Sequence, residues 1–159
     1  MKVRLITVSQ RQPEWIAAGE REYARRLPRE WSFEVVELKP AGRGRNAVAE
    51  RLRAEEAERI RGAIGKLGRN PRVVALDEVG VGWSSQRLAD NLGSWLHDGR
   101  DLALVIGGAD GLEPALLQAA DHRWSLSAAT LPHGLVRIVV AEQLYRASTL
   151  LAGHPYHRA

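Results

Sequence analysis

Cysteine is absent from all 159 residues. This excludes disulfide scaffolds, thiolate zinc sites, iron–sulfur clusters and thiol nucleophiles together. It fits a reducing compartment, so the protein is expected in the cytoplasm. No apolar run approaches the roughly 20 residues of a membrane span. Met1 to Gln10 lacks the apolar centre of a secretion signal. Three nucleotide and hydrolase signatures are also missing. There is no Gly-x-Ser-x-Gly elbow, no Walker Gly-Lys-Ser/Thr and no Gly-x-Gly-x-x-Gly after the first strand-like segment. Lysine is scarce, with only Lys2, Lys39 and Lys66.

What is present is ordinary globular composition, with 45% apolar and 26% charged residues. The length suits one domain over residues 1–159. The net charge of +4 is unevenly placed. Residues 1–70 hold 16 Lys/Arg against 10 Asp/Glu, and residues 71–159 hold 7 against 9. Arginine dominates the basic half, and its planar fork matches phosphates and base edges. A polyanionic partner follows from that asymmetry, although an arginine-rich codon bias gives the same composition.

Strand-like and helix-like segments alternate. Lys2 to Val8 is β-rich, and Pro13 opens a helix to about Arg26. Phe33 to Leu38 reads as a second strand. Asn46 is expected to cap a charged helix running to about Leu67. Arg72 to Leu76 and Leu102 to Ile106 read as short buried strands. Between them a helix runs from Ser84 or Ser85 to about His97. Pro114 starts a short helix, Arg123 to Leu126 forms a brief strand, and Pro132 opens a last helix ending near Ala152. The alternation predicts an α/β fold, a parallel sheet with helices on both faces.

Three segments are candidates for chemistry. Ile106-Gly107-Gly108-Ala109-Asp110-Gly111 follows a buried strand, where open α/β sheets bind ligands. Leu126 to His133 follows the next strand and enters the last helix, with His133 in its first turn. The closing His154-Pro155-Tyr156-His157-Arg158 gathers two imidazoles, a phenol and a guanidinium, groups suited to base stacking, phosphate contact or proton transfer. No third ligand accompanies His154 and His157, so no metal is expected. The loop Lys39 to Arg45 carries three cations and two glycines and suits a phosphate backbone. The last helix is apolar on almost every face, which implies that a second chain covers part of it. Glu142 and Arg146 lie one turn apart there and are expected to satisfy each other.

Taken together, these strings resemble a known family. They are Pro40-Ala41-Gly42-Arg43-Gly44-Arg45-Asn46, Leu76-Asp77, Trp95 to Asp101, Ile106 to Leu112, Trp124 to His133, Leu135 to Ala147 and His154 to Arg158. They run in order across essentially the whole chain. The sequence resembles the ribosomal RNA large subunit methyltransferase H family, small SPOUT-type (α/β-knot) methyltransferases. Gly134 and Ala109 stand where that family often has proline.

The resemblance implies a carboxyl-terminal trefoil knot, a homodimer, and methyl transfer from S-adenosyl-L-methionine to N3 of a pseudouridine. The implied target is the helix-69 hairpin of 23S rRNA in the assembled ribosome. Carried over position by position, it implies a cofactor pocket at Leu76, at Gly107 and Gly108, and at Ala128, Ala129, Thr130, Leu131, Pro132 and His133. It implies that His154, Tyr156, His157 and Arg158 meet the target base in a pocket shared between subunits. A non-enzymatic ribosome- or RNA-binding protein is the alternative that the basic loop alone supports.

Overall fold

The computed structural model describes residues 1–157. Five parallel strands form one sheet: β1 (Val3–Val8), β2 (Glu34–Leu38), β3 (Arg72–Gly82), β4 (Leu102–Ile106) and β5 (His122–Ser125). Their order is β2-β1-β4-β3-β5. The helices are α1 (Glu14–Ala24), α2 (Ala49–Ile64), α3 (Ser85–Asp98), α4 (Pro114–Ala119) and α5 (His133–Ala152). The expected parallel sheet with helices on both faces is therefore present.

The period-two alternation of the strands decides which face each side chain serves. Val3 and Leu5 of β1, with Leu102 and Leu104 of β4, pack with Leu88 and Leu92 of α3 and Val140 and Leu144 of α5. Ile6, Val8, Ala103 and Val105 point the other way, against Ile60 of α2 and Leu116 of α4. β1 and β4 are the central strands, buried on both sides, and they read as near-continuous apolar runs for that reason.

The helix ends follow their local chemistry. The Ser84 hydroxyl accepts the Arg87 amide at 3.1 Å and starts α3. Gly99 and Gly153 adopt φ of 73° and 70° and end α3 and α5 in the left-handed conformation. α2 departs from expectation. It begins at Ala49 behind Val48, with no side-chain cap, while Asn46 lies in the preceding turn.

β3 is also longer than expected. Both Leu76 and Val81 stand opposite Trp124 of β5, so Asp77 to Gly80 bulge out of the ladder. Gly80 makes this possible, because a Cβ there would meet the Arg123 backbone at 2.8 Å. Its glycines make this segment read as a turn in sequence, which hides the return to the sheet.

Candidate functional site

In a parallel sheet all carboxyl ends of the strands open on one edge. Here those ends enclose a cavity of about 1380 Å³. Leu76 from β3, Gly107 and Gly108 after β4, and Ala129, Thr130, Leu131 and His133 after β5 all line it. Three segments distant in sequence thus meet at this edge. Ala128 and Pro132 belong to the same stretch but do not form its wall.

The glycines are required by close approach. A Cβ on Gly107 would lie 2.8 Å from the Gly111 backbone, and one on Gly108 would lie 2.8 Å from Glu56 Oε1. Both glycines thus let the turn pack tightly on itself and on Glu56, and both line the cavity, where main chain can lie against a flat aromatic ligand. S-adenosylmethionine, the methyl donor implied by the resemblance, fits such a wall. Leu76, the Gly107-Gly108 turn and the 129–133 segment are the residues that would hold it.

His133 fastens this edge together. Its Nε2 and the buried Thr7 hydroxyl of β1 share a hydrogen bond of 2.7 Å, and the ring also bonds the Gly107 backbone. Burial first, and the positive Arg137 second, hold its pKa below the ordinary imidazole value. The neutral ring is therefore the stable form near pH 7, and its geometry is that of a brace. Arg137 lies one turn further along α5 and is buried. It donates to Glu20 of α1 at 2.7 Å and to Glu37 of β2 at 2.8 Å.

The basic loop proves to be part of the cavity wall. Lys39 and Arg43 line it, and Arg43 pairs with Asp110 of the Gly-Gly turn. Glu56 of α2 lines it too. Sequence reading missed Glu56, although a signal existed: with Leu52 and Ile60 it lies at i, i+4, i+8, an acid inside an apolar stripe.

The carboxyl tail sits elsewhere. α5 has 20 residues, which places its two ends roughly 30 Å apart. His154, Tyr156 and His157 follow its far end and do not line the cavity. The Tyr156 hydroxyl donates to Glu142 Oε1 at 3.1 Å, and its ring lies 4.5 Å from that of Tyr145. Arg146 bridges to the same Glu142 at 2.7 Å, so the expected pair exists but is shared with the tail. Burial and the Glu142 carboxylate push the Tyr156 phenol up to about 12. Arg158 lies outside the described residues. Among the described residues no group of three or more His, Asp or Glu could hold a metal ion, and no helix is long and apolar enough to cross a membrane.

Known proteins share the fold and the family of this chain. Residues 1–157 match the family described as "Predicted SPOUT methyltransferase". The Nitrosospira multiformis protein named ribosomal RNA large subunit methyltransferase H is 54% identical over 159 residues, all of both chains. Its namesake from Chromohalobacter salexigens is 53% identical over 158 residues, 99% of this chain and all of its own. Among solved structures, a probable methyltransferase from Bordetella pertussis Tohama I has a TM-score of 0.58 at 16% identity, covering 92% of this chain and 95% of its own. A probable methylase family protein from Haemophilus influenzae Rd KW20 also scores 0.58, at 11% identity, covering 97% of this chain and 69% of its own. At such identities the two structures speak for the fold, whereas the two sequence relatives are matched end to end. The chain belongs to the ribosomal RNA large subunit methyltransferase H family of SPOUT methyltransferases.

Proposed function

We propose that this protein, working as a single domain, methylates N3 of a pseudouridine in the helix-69 hairpin of 23S rRNA within the assembled ribosome. The observation that carries the reading is the end-to-end match to relatives named for large-subunit rRNA methylation. The cavity supports it. At about 1380 Å³ it exceeds the roughly 300–1,000 Å³ of a usual small-molecule pocket, leaving room for a nucleotide beside the cofactor. The basic loop on its rim supplies phosphate contacts, and a cytoplasmic location follows from the target.

S-adenosylmethionine supplies a methyl group already bonded to a good leaving group. The protein's share is alignment and the removal of one imide proton. Leu76, Gly107, Gly108 and the wall residues of the 128–133 segment, Ala129, Thr130, Leu131 and His133, fix the donor. His154, Tyr156, His157 and Arg158 are assigned to the base. Tyr156, with its raised pKa, acts as a hydrogen-bond donor, so the proton goes to His154 or His157. Arg158 balances the developing imide anion.

Because one α5 separates tail from cavity by roughly 30 Å, the complete site takes the tail of a second copy. Trp15, 62% exposed on α1, and the exposed Leu135 of α5 are apolar surface for that partner. The carboxyl-terminal segment is proposed to thread as a trefoil knot, a reading supported by the 126–133 loop bonding through His133 to both Thr7 and Gly107.

The test is transfer of labelled methyl from S-adenosylmethionine to ribosomes lacking this modification, with separated large subunits alongside. Label at the hairpin pseudouridine in intact ribosomes is expected. Cofactor binding without label would move the target elsewhere. Neither binding nor label would leave an RNA-binding protein.

A further inference from the structure

Glu56 is an acid in the apolar stripe of α2, and it is only 5% exposed. Its Oε2 accepts the Ala41 amide at 3.0 Å. Its Oε1 is shielded from water and has no partner. None of the neighbouring arginines of the helix forms an ion pair with Glu56: Arg59 donates to the Lys39 carbonyl, Arg61 pairs with Glu58 and Glu113, and Arg53 reaches the Asp110 carbonyl at 3.5 Å while its own buried Nε has no partner. A buried carboxylate oxygen with neither donor nor counter-charge is strongly unfavourable. Glu56 is part of the cavity wall, and Oε1 lies where a Cβ on Gly108 would press against it. The unsatisfied oxygen therefore packs against the Gly108 turn, which lines the cavity.

We propose, on the methyltransferase reading given above, that Glu56 receives the α-ammonium group of S-adenosylmethionine. The missing partner has to be a hydrogen-bond donor, because Oε1 is an acceptor, and a cation, because the carboxylate is buried. The cofactor has two positive centres. The sulfonium has no N–H and must face the nucleophile. The ammonium has three N–H donors and takes no part in the transfer. The ribose hydroxyls and the adenine amino group are donors but leave the charge unbalanced. Asp77, the other cavity acid with a buried unpartnered oxygen among the described residues, is less buried, and like Glu56 it accepts one amide, that of Val79 at 3.3 Å.

The test is calorimetric binding, independent of turnover, with three ligands: S-adenosylmethionine, S-adenosylhomocysteine and methylthioadenosine. The second lacks the sulfonium charge but keeps the ammonium. The third lacks the amino-acid portion altogether. Glu56→Gln keeps an acceptor for Ala41 and turns an amide toward the cavity. It is expected to weaken the first two ligands equally, by about tenfold or more, and to leave methylthioadenosine within about twofold. Equal weakening of all three would reduce Glu56 to a loop support and overturn the proposal. Loss confined to S-adenosylmethionine would move the contact to the sulfonium and overturn it too. Unchanged affinities, or Asp77→Asn producing the pattern instead, would also sink it. Wild-type protein that binds none of the three would refute the methyltransferase reading itself. If Glu56→Gln unfolds, Glu56→Asp is used: the charge remains, and the preference for the two ammonium-bearing ligands over methylthioadenosine is expected to persist, its loss counting against the proposal.

Discussion

His133 Nε2 and Thr7 Oγ1 stand 2.7 Å apart although 126 residues separate them in the chain. The bond joins the start of the last helix to a central strand, and the Gly107 backbone shares the same ring. Gly107 and His133 line the cavity, and Thr7 lies beneath it, next to the lining residue Val8. A protonated ring would place a charge among buried groups beside Arg137.

Stability should therefore depend on pH through this ring. Its folded pKa lies below the ordinary value near 6.5. The unfolded chain thus takes up its proton before the folded one does. The neutral ring's contribution is complete above about pH 6.5 and is lost as pH falls from there toward the lower folded value. Thermal melts between pH 7 and pH 5 should show a falling Tm. His133→Gln should make that limb shallower, and an identical limb in the variant would refute the assignment.

Arg137 is 1% exposed and holds two carboxylates, of which Glu20 is itself buried. Arg137→Met strands Glu20 and should lower unfolding free energy by about 3–5 kcal/mol in urea. Adding Glu20→Gln should recover much of that loss, because the buried charge disappears with its partner. Additive losses in the double variant would contradict this coupling.

Tyr156 should ionise late. Absorbance titration of the three tyrosines should resolve one with a pKa near 12, and Glu142→Gln should bring it down toward the ordinary 10. A Tyr156 that ionises normally in the wild type would reopen its use as a base.

Light scattering should give about twice the 17.6 kDa chain mass. The shared site has a sharper signature. Gly108→Val blocks the cavity, and His157→Ala disables the tail. Each alone should be nearly inactive. Mixed one to one through unfolding and refolding, they should recover about a quarter of wild-type methylation, since half the dimers then carry one intact site of two. No recovery would place tail and cavity in the same chain.

The central strands were legible because Val3 to Val8 and Leu102 to Ile106 are short, mostly apolar runs, and most helices because Pro or Ser stands at their starts. Gly107-Gly108 and Leu131 to His133 were legible because they follow strands whose ends carry ligand sites. Asn46 misled as a cap because good cap chemistry sits two residues before Val48, behind which the helix begins at Ala49. Glu56 went unread because a charged residue on a charged helix looks solvated, and its burial depends on Ala41, 15 residues away. The wall role of Lys39 and Arg43 depends on the Arg43–Asp110 contact across 67 residues, which no local pattern encodes.

Strand β1 is made first, yet its pairing with β4 joins Val3 to Leu102. At roughly 5–20 residues added per second, β1 waits about 5–20 s during synthesis for its second neighbour. Through that interval one edge of a largely apolar strand stays open, a template for pairing with other nascent chains. Glu34 to Leu38 can cover its other edge early, since Arg4 already pairs with Glu34 in both register and charge. The sheet order thus makes the birth of this protein a slow, two-stage closure, with chaperone dependence concentrated between the emergence of residues 38 and 106.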